Sequence, residues 1–218
     1  MNSHESVIIK KPWGFEYLAY KNDQVALWIL HIKKGHKTSL HCHPTKTTGL
    51  VVVRGTVEMN FIADSKIIAA PAKQMIRRGL FHQTHALTDD VIVFEIETPV
   101  NKNDLVRLND VYGRENSGYE NFESELPKNE ECLWFDDTPR EVDVFGRKIR
   151  VERVTTECIN SKNEADIIIF LRGSLIKDVE GTRHEVIRPG DVGVVNVVKV
   201  VLPYMDGFTP DGVIMTLS

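Results

Sequence analysis

Cysteine is scarce in this chain: 218 residues hold three, Cys42, Cys132 and Cys158, an odd number without paired spacing. That usage excludes a disulfide framework and suits a reducing compartment, so a cytoplasmic protein is expected. Long apolar runs are missing too. None approaches the roughly 20 residues that a spanning helix needs. The opening MNSHESVIIKKPWG has neither an uninterrupted apolar core nor a small-residue cleavage pattern, so neither a membrane partner nor a secretory leader is expected. Charge of one sign is never massed: 27 basic and 31 acidic residues are scattered to a net charge of −4. Nothing in that distribution is built to follow a phosphate backbone, so no nucleic-acid partner is expected. No long segment repeats at 3.6 residues, which sets helical bundles aside.

What the chain does have is a succession of short apolar runs closed by turn residues. Val25 to Ile32, Leu50 to Val53, Thr56 to Ile62, Ile67 to Ala70 and Val91 to Ile96 read as strands, because branched and aromatic residues are bounded at close intervals by Gly, Pro and Lys-Gly turns. Residues 101 to 129 are polar and rich in Asp, Asn and Glu, and read as an excursion followed by a linker, with a helical turn near 104–109. Strand-like runs resume at 141–145, 148–154, 166–171 and 192–201. The second half looks like a copy of the first. Val53-Arg54-Gly55-Thr56-Val57 matches Leu171-Arg172-Gly173-Ser174-Leu175 at 173 − 55 = 118, and Pro71 matches Pro189 at 189 − 71 = 118. The expected fold is therefore all-β, two tandem barrels of the jelly-roll kind, with domains at 1–125 and 126–218.

The chemistry concentrates in the first half. His41 and His43 are two apart, so on a strand both imidazoles project from one face while Cys42 projects from the other. His82 follows the Gly79 turn and is the best source of a third nitrogen from another strand, whereas His85, three residues on, faces away. Three imidazoles suit a divalent transition metal such as zinc, iron or nickel better than magnesium or calcium. Under the offset of 118 these positions become Ile159, Ser161 and Val200, so the second domain has no such ligands. Glu95 and Glu97 share a face of one strand and are the candidate catalytic carboxylates. The alternating Ile92, Phe94 and Ile96 form a competing inward set that would leave the two glutamates on a solvated outer face. Trp13 and Trp28 read as packing residues.

These residues resemble the cupin superfamily. Gly35, five residues, His41, one residue, His43 and the later Gly55 follow its first motif, and Gly79 with His82 follows its second. The acidic position of the first motif is Thr48 here. Lys11-Pro12-Trp13-Gly14, Ser39-Leu40 with the two histidines, and the tail Asp104-Leu105-Val106-Arg107, Asp110 and Tyr112-Gly113-Arg114 are similar to the cupin domain of type II phosphomannose isomerases, including those fused to mannose-1-phosphate guanylyltransferases.

The resemblance implies an isomerase- or epimerase-like cupin in polysaccharide-precursor metabolism, acting on a small anionic substrate of the sugar-phosphate or nucleotide-sugar class, and a homodimer. The substrate-binding candidates beside the metal ligands His41, His43 and His82 are Lys46 and Arg77, by nearness to the histidines, Thr48, whose hydroxyl could orient a ligand, and Arg107, within the matching tail. Without the motif glutamate, three neutral imidazoles leave the dication uncancelled, which favours an anionic ligand. Two other readings stay open: a three-histidine ferrous dioxygenase-like cupin, and a non-catalytic sugar-binding or assembly module.

Overall fold

The computed structural model describes residues 6–116, 119, 124–125 and 132–218. The chain divides into two units, Met1–Trp134 and Phe135–Ser218. It is all-β, as expected. The first unit runs β1 (Ile8–Lys11), β2 (Gly14–Lys21), β3 (Ala26–Ile32), β4 (Leu40–Cys42), β5 (Thr47–Arg54), β6 (Thr56–Asn60), β7 (Ser65–Ala69), β8 (Ala72–Ile76), β9 (Gln83–Ala86), β10 (Val91–Thr98), β11 (Val106–Asn109) and β12 (Ser124–Glu125). A large antiparallel sheet has the order β12-β1-β2-β3-β10-β5-β8, a smaller one has β7-β6-β9, and β4 pairs with β11.

Trp28, Leu30 and Ile32 of β3, Leu50 and Val52 of β5 and Val93 of β10 all lie at i, i+2 spacing, so they share one face of the large sheet. They pack with Val57 and Met59 of β6 and Ala86 of β9 from the smaller sheet. The opposite face is buried as well, through Leu27, Ile29, Val51, Val53, Phe94 and Ile96. The three central strands therefore read as continuous apolar runs rather than alternating ones.

The second unit runs β13 (Arg140–Val144), β14 (Arg147–Arg153), α1 (Thr156–Asn160), β15 (Ile167–Arg172), β16 (Leu175–Val179), β17 (Thr182–Ile187), β18 (Val192–Val194), α2 (Val195–Val201), β19 (Gly207–Phe208) and β20 (Val213–Leu217). Its sheets have the orders β13-β14-β20-β15-β18 and β17-β16-β19. The sequence β14-β20-β15-β18 repeats β3-β10-β5-β8 of the first unit, and β17-β16-β19 repeats β7-β6-β9. The internal repeat in the sequence is thus a repeat of strand order. Two segments break it. Ile159 lies on α1, Ser161 caps it and Val200 lies on α2, so helices stand where the first unit has β4, which carries His41, and the segment before β9, which carries His82.

Two expected elements are corrected. Residues 104–109 hold no helical turn: Val106–Asn109 is a strand, because β4 offers it an open edge to pair with. The run 192–201 is not one strand. It ends at Val194 and continues as α2, where Val195, Val198 and the following Leu202 fall on one buried helical face. Burial at that spacing overrides the β propensity of five valines among seven residues. Part of the expected linker, 126–129, lies outside the described residues.

The Arg-Gly corner that revealed the repeat has a physical cause in both units. Gly55 and Gly173 adopt φ of +83° and +68°. A Cβ on Gly55 would lie 2.7 Å from Thr88 Oγ1, and one on Gly173 would lie 2.4 Å from Thr209 Oγ1. The residue after each glycine donates its backbone N–H to that same hydroxyl, at 2.9 Å from Thr56 and 2.9 Å from Ser174. Gly55→Ala and Gly173→Ala should each destabilise their unit by about 1–3 kcal/mol, combining left-handed strain with a displaced threonine. Urea unfolding checks this, and a loss below about 0.5 kcal/mol would contradict it.

Candidate metal centre

His41 and His82 come together through the backbone. They form an isolated antiparallel bridge in which His41 N–H donates to His82 O at 3.1 Å and His82 N–H donates to His41 O at 2.8 Å. Directly opposed residues of an antiparallel pair project to the same side, so the two rings meet with centroids 4.5 Å apart. His43, beyond the end of β4, returns to that side by the period-two rule, with its ring 5.0 Å from His41 and 5.4 Å from His82. Its carbonyl accepts the N–H of Gly79 at 2.9 Å, tying it to the turn that delivers His82. One nitrogen from each ring lies within 4.8 Å of the others.

Each ring has its Nδ1 occupied. The partners are the carbonyls of Ser39 for His41 at 2.8 Å, Asp104 for His43 at 2.7 Å and Leu80 for His82 at 3.1 Å. A carbonyl only accepts, so Nδ1 carries the proton and each Nε2 presents a lone pair. His43 Nε2 is buried and bonds to no described residue. Burial favours the neutral form of all three: it holds His41 well below its ordinary value, and lowers His43 to about 2 and His82 to about 4. Three neutral imidazoles with oriented, unspent lone pairs fit a borderline transition ion. Asp104 also anchors the neighbouring backbone, its Oδ2 accepting from Thr45 N–H and Lys46 N–H, both at 2.9 Å.

The rings of His41 and His43 open onto a cavity of about 490 Å³ counting its mouth, lined also by Lys11, Glu16, Glu95, Lys102, Arg107 and Arg114. Glu95 and Glu97 face this side of β10 rather than solvent. The competing set of Ile92, Phe94 and Ile96 is buried too, because β10 is covered on both faces. Glu97 is fully buried, ion-paired with Lys46 through Oε2 and accepting from Trp28 Nε1 at 3.1 Å through Oε1. Glu95 is 9 % exposed, its Oε1 stands 4.0 Å from His43 Nε2, and burial raises its pKa against the pull of Lys102 and Lys46.

Lys11 and Lys102 converge on Glu16 at 3.6 and 3.3 Å, and Tyr119 donates to it at 2.5 Å. Burial alone would raise the Glu16 carboxyl, but Lys102 and then Lys11 bring it down to about 2. Lys102 also lies 3.7 Å over the Trp28 ring, a cation–π contact.

The substrate-binding candidates divide. Arg107 lies opposite His41 in the β4–β11 pair and lines the cavity. Lys46 borders it too, but its ammonium is committed to Glu97 and to the Asn101 carbonyl at 3.2 Å, so it is no free anchor. Thr48 is buried with its hydroxyl bonded to no described residue and lies outside the lining, paired with Glu97 of β10 on one side and Ile76 of β8 on the other. Arg77 is exposed on the turn before Gly79 and lies away from the cavity. His85 does face away, 3.2 Å from Glu58. Sequence reading missed Glu16, Lys102 and Tyr119, which join only through tertiary pairing, and the anchoring role of Asp104.

No protein-family model matches the chain, and no curated protein matches it. Solved structures do resemble it. KdgF from a Halomonas species aligns at 14% identity over 46% of this chain and 94% of its own, with a TM-score of 0.41. The capsular polysaccharide assembling protein CapF from Staphylococcus aureus aligns at 19% over 47% of this chain and 32% of its own, TM-score 0.43. An RmlC-like cupin from Shewanella frigidimarina aligns at 16% over 47% and 91%, TM-score 0.41. Among the described residues no helix is long and apolar enough to cross a membrane.

Two outcomes follow from this geometry. The folded-state values of the three histidines lie below 6.5, so from about pH 6.5 downward the unfolded chain binds more protons and the metal-free protein loses stability as pH falls. Each histidine contributes a slope on the order of 1.4 kcal/mol per pH unit in that window. Replacing His82 by asparagine should flatten the slope of stability against pH between about 6 and 4 by roughly one proton, and an unchanged slope would contradict its buried neutral state. Asp104→Ala keeps the carbonyl that holds His43 Nδ1 but frees the Thr45 and Lys46 N–H groups from its carboxylate, and by loosening the segment after His43 it should weaken divalent-ion affinity by roughly 10-fold; competition with a chromophoric chelator measures it.

Proposed function

We propose that the chain is a cupin whose first unit holds a divalent transition ion on His41, His43 and His82 and acts, as an isomerase or epimerase, on a small anionic sugar derivative, the second unit being a degenerate copy. The observation that carries this reading is the set of three clustered imidazoles whose Nδ1 atoms are all fixed by carbonyls, with one nitrogen from each ring within 4.8 Å of the others. A divalent ion held there polarises a substrate oxygen.

The chain's own residues supply the rest. Arg107, across the strand pair from His41, and Arg114, doubly bonded to Asp110 at 2.6 and 2.8 Å, set positive charge on one wall of the cavity. Lys11 and Lys102 set it on another, with Glu16 between them. Cationic lining groups outnumber anionic ones, which favours an anionic substrate. The sugar class is supported by the likeness of the Lys11–Gly14, His41–His43 and Asp104–Arg114 segments to sugar-phosphate cupins.

Elemental analysis of protein purified without an affinity tag tests this. Zinc or nickel near one per chain is expected. Iron together with oxygen uptake on a thiol or diketone would replace the reading by a dioxygenase, and a protein that takes up no ion would overturn it in favour of a binding module. His43→Ala should lose the ion. It should also lose the rise in thermal midpoint that added metal gives the unaltered protein, about 2.7 kcal/mol at a 100-fold excess over Kd.

A further inference from the structure

We infer that Glu95 is the acid–base residue of this centre, and that its substrates are α-hydroxy carbonyl compounds from which it removes a carbon-bound proton; this rests on the metal reading above. Three glutamates point toward the cavity side, and two are already engaged. Glu16 is held by Lys11, Lys102 and Tyr119. Glu97 is fully buried with one oxygen on the Lys46 ammonium and the other on the Trp28 indole. Glu97 thus has both oxygens engaged, and Glu16 is held at Oε1 by two ammonium groups and a phenol.

Glu95 differs from both in its contacts. It reaches the cavity, it is about nine-tenths buried, and it accepts no hydrogen bond from any described residue. Its Oε1 lies 4.0 Å from His43 Nε2, no farther than the 4.8 Å that bounds the separations among the histidine nitrogens themselves. A buried carboxylate kept unpaired beside such a cluster is costly unless a ligand completes it. Lining the cavity beside His43, it could reach a carbon-bound proton of a substrate held by this centre.

The step balances within the substrate. Glu95 takes the hydrogen of the hydroxyl-bearing carbon as a proton. The C–H electron pair becomes a carbon–carbon double bond as the carbonyl π pair moves to oxygen; the hydroxyl proton then passes to that oxygen, the O–H pair forms the new carbonyl, and the double-bond pair takes the proton back from the same carboxyl at the former carbonyl carbon. No oxidant or reductant is consumed. Glu97 and Lys46 form a fixed wall that holds β10 in register behind the reacting group, and are positioning residues.

The test uses the full chain loaded with cobalt(II), whose visible spectrum reports the ligand set independently of turnover. The probes are dihydroxyacetone phosphate, fructose 6-phosphate and fructose in deuterium oxide, followed by proton NMR. The unaltered protein is expected to replace the hydrogens next to the carbonyl of at least one probe by deuterium. Glu95→Gln should slow this by about 100-fold or more with its cobalt spectrum and cobalt affinity unchanged, and Glu95→Asp should recover part of the rate. Exchange that survives in Glu95→Gln overturns the assignment, as does a protein that binds cobalt but exchanges none of the three probes. A Glu95→Gln variant with an altered spectrum or 10-fold weaker cobalt binding makes Glu95 a ligand instead, which overturns it too. A protein that takes up no cobalt fails at the earlier step and overturns the metal reading itself.

Discussion

Two backbone hydrogen bonds between His41 and His82 are what the site depends on. They join segments distant in sequence at one point, and antiparallel pairing then leaves no choice of side: both rings must project to the same face. His43 follows by strand alternation from His41, and Arg107 follows from the pairing of β11 on the other edge of β4. The site is therefore a row across three strands, built from main-chain register rather than from side-chain packing. Precision of this kind survives surface substitution, because the bonds that set it involve no side-chain atoms.

The electrostatics around that row follow one rule, that a buried polar group must have its partner. The imidazoles are kept neutral by burial and satisfied at Nδ1 by carbonyls. The lysines and glutamates behind them are matched pairwise, Lys46 with Glu97 and the pair Lys11 and Lys102 with Glu16. Replacing one member of such a pair would strand the other in a poorly solvated wall, at a cost of about 3–5 kcal/mol. What the matching leaves over is informative: the Nε2 of His43 and the carboxylate of Glu95, both buried and adjacent, stand outside it.

Some of this was legible in the sequence and some was not, for identifiable reasons. The His41–His43 pair was visible because a spacing of two has one meaning on a strand, and His82 because a glycine turn precedes it. The repeat was visible because a left-handed corner demands glycine in both units. The orientation of β10 could not be read, since alternation carries no signal when both faces of a strand are buried, and the outward placement of Glu95 and Glu97 failed on that ground. Lys46 and Arg77 were assigned by nearness in sequence to the histidines, but Lys46 is turned to Glu97 and Arg77 sits out on a turn. The helical spacing of Val195, Val198 and Leu202 was hidden inside a run of β-branched residues.

The second unit keeps the frame strands of the first while α1 stands where β4 would and α2 stands where the turn between β8 and β9 would. Its interior closes just the same, around Ile168, Phe170, Leu175, Val195 and Ile214. Reactivity and structural integrity are thus carried by different, exchangeable pieces of one scaffold. A grafted loop-and-strand cassette on this frame can be rewritten wholesale, and the hydrophobic interior need not register the change.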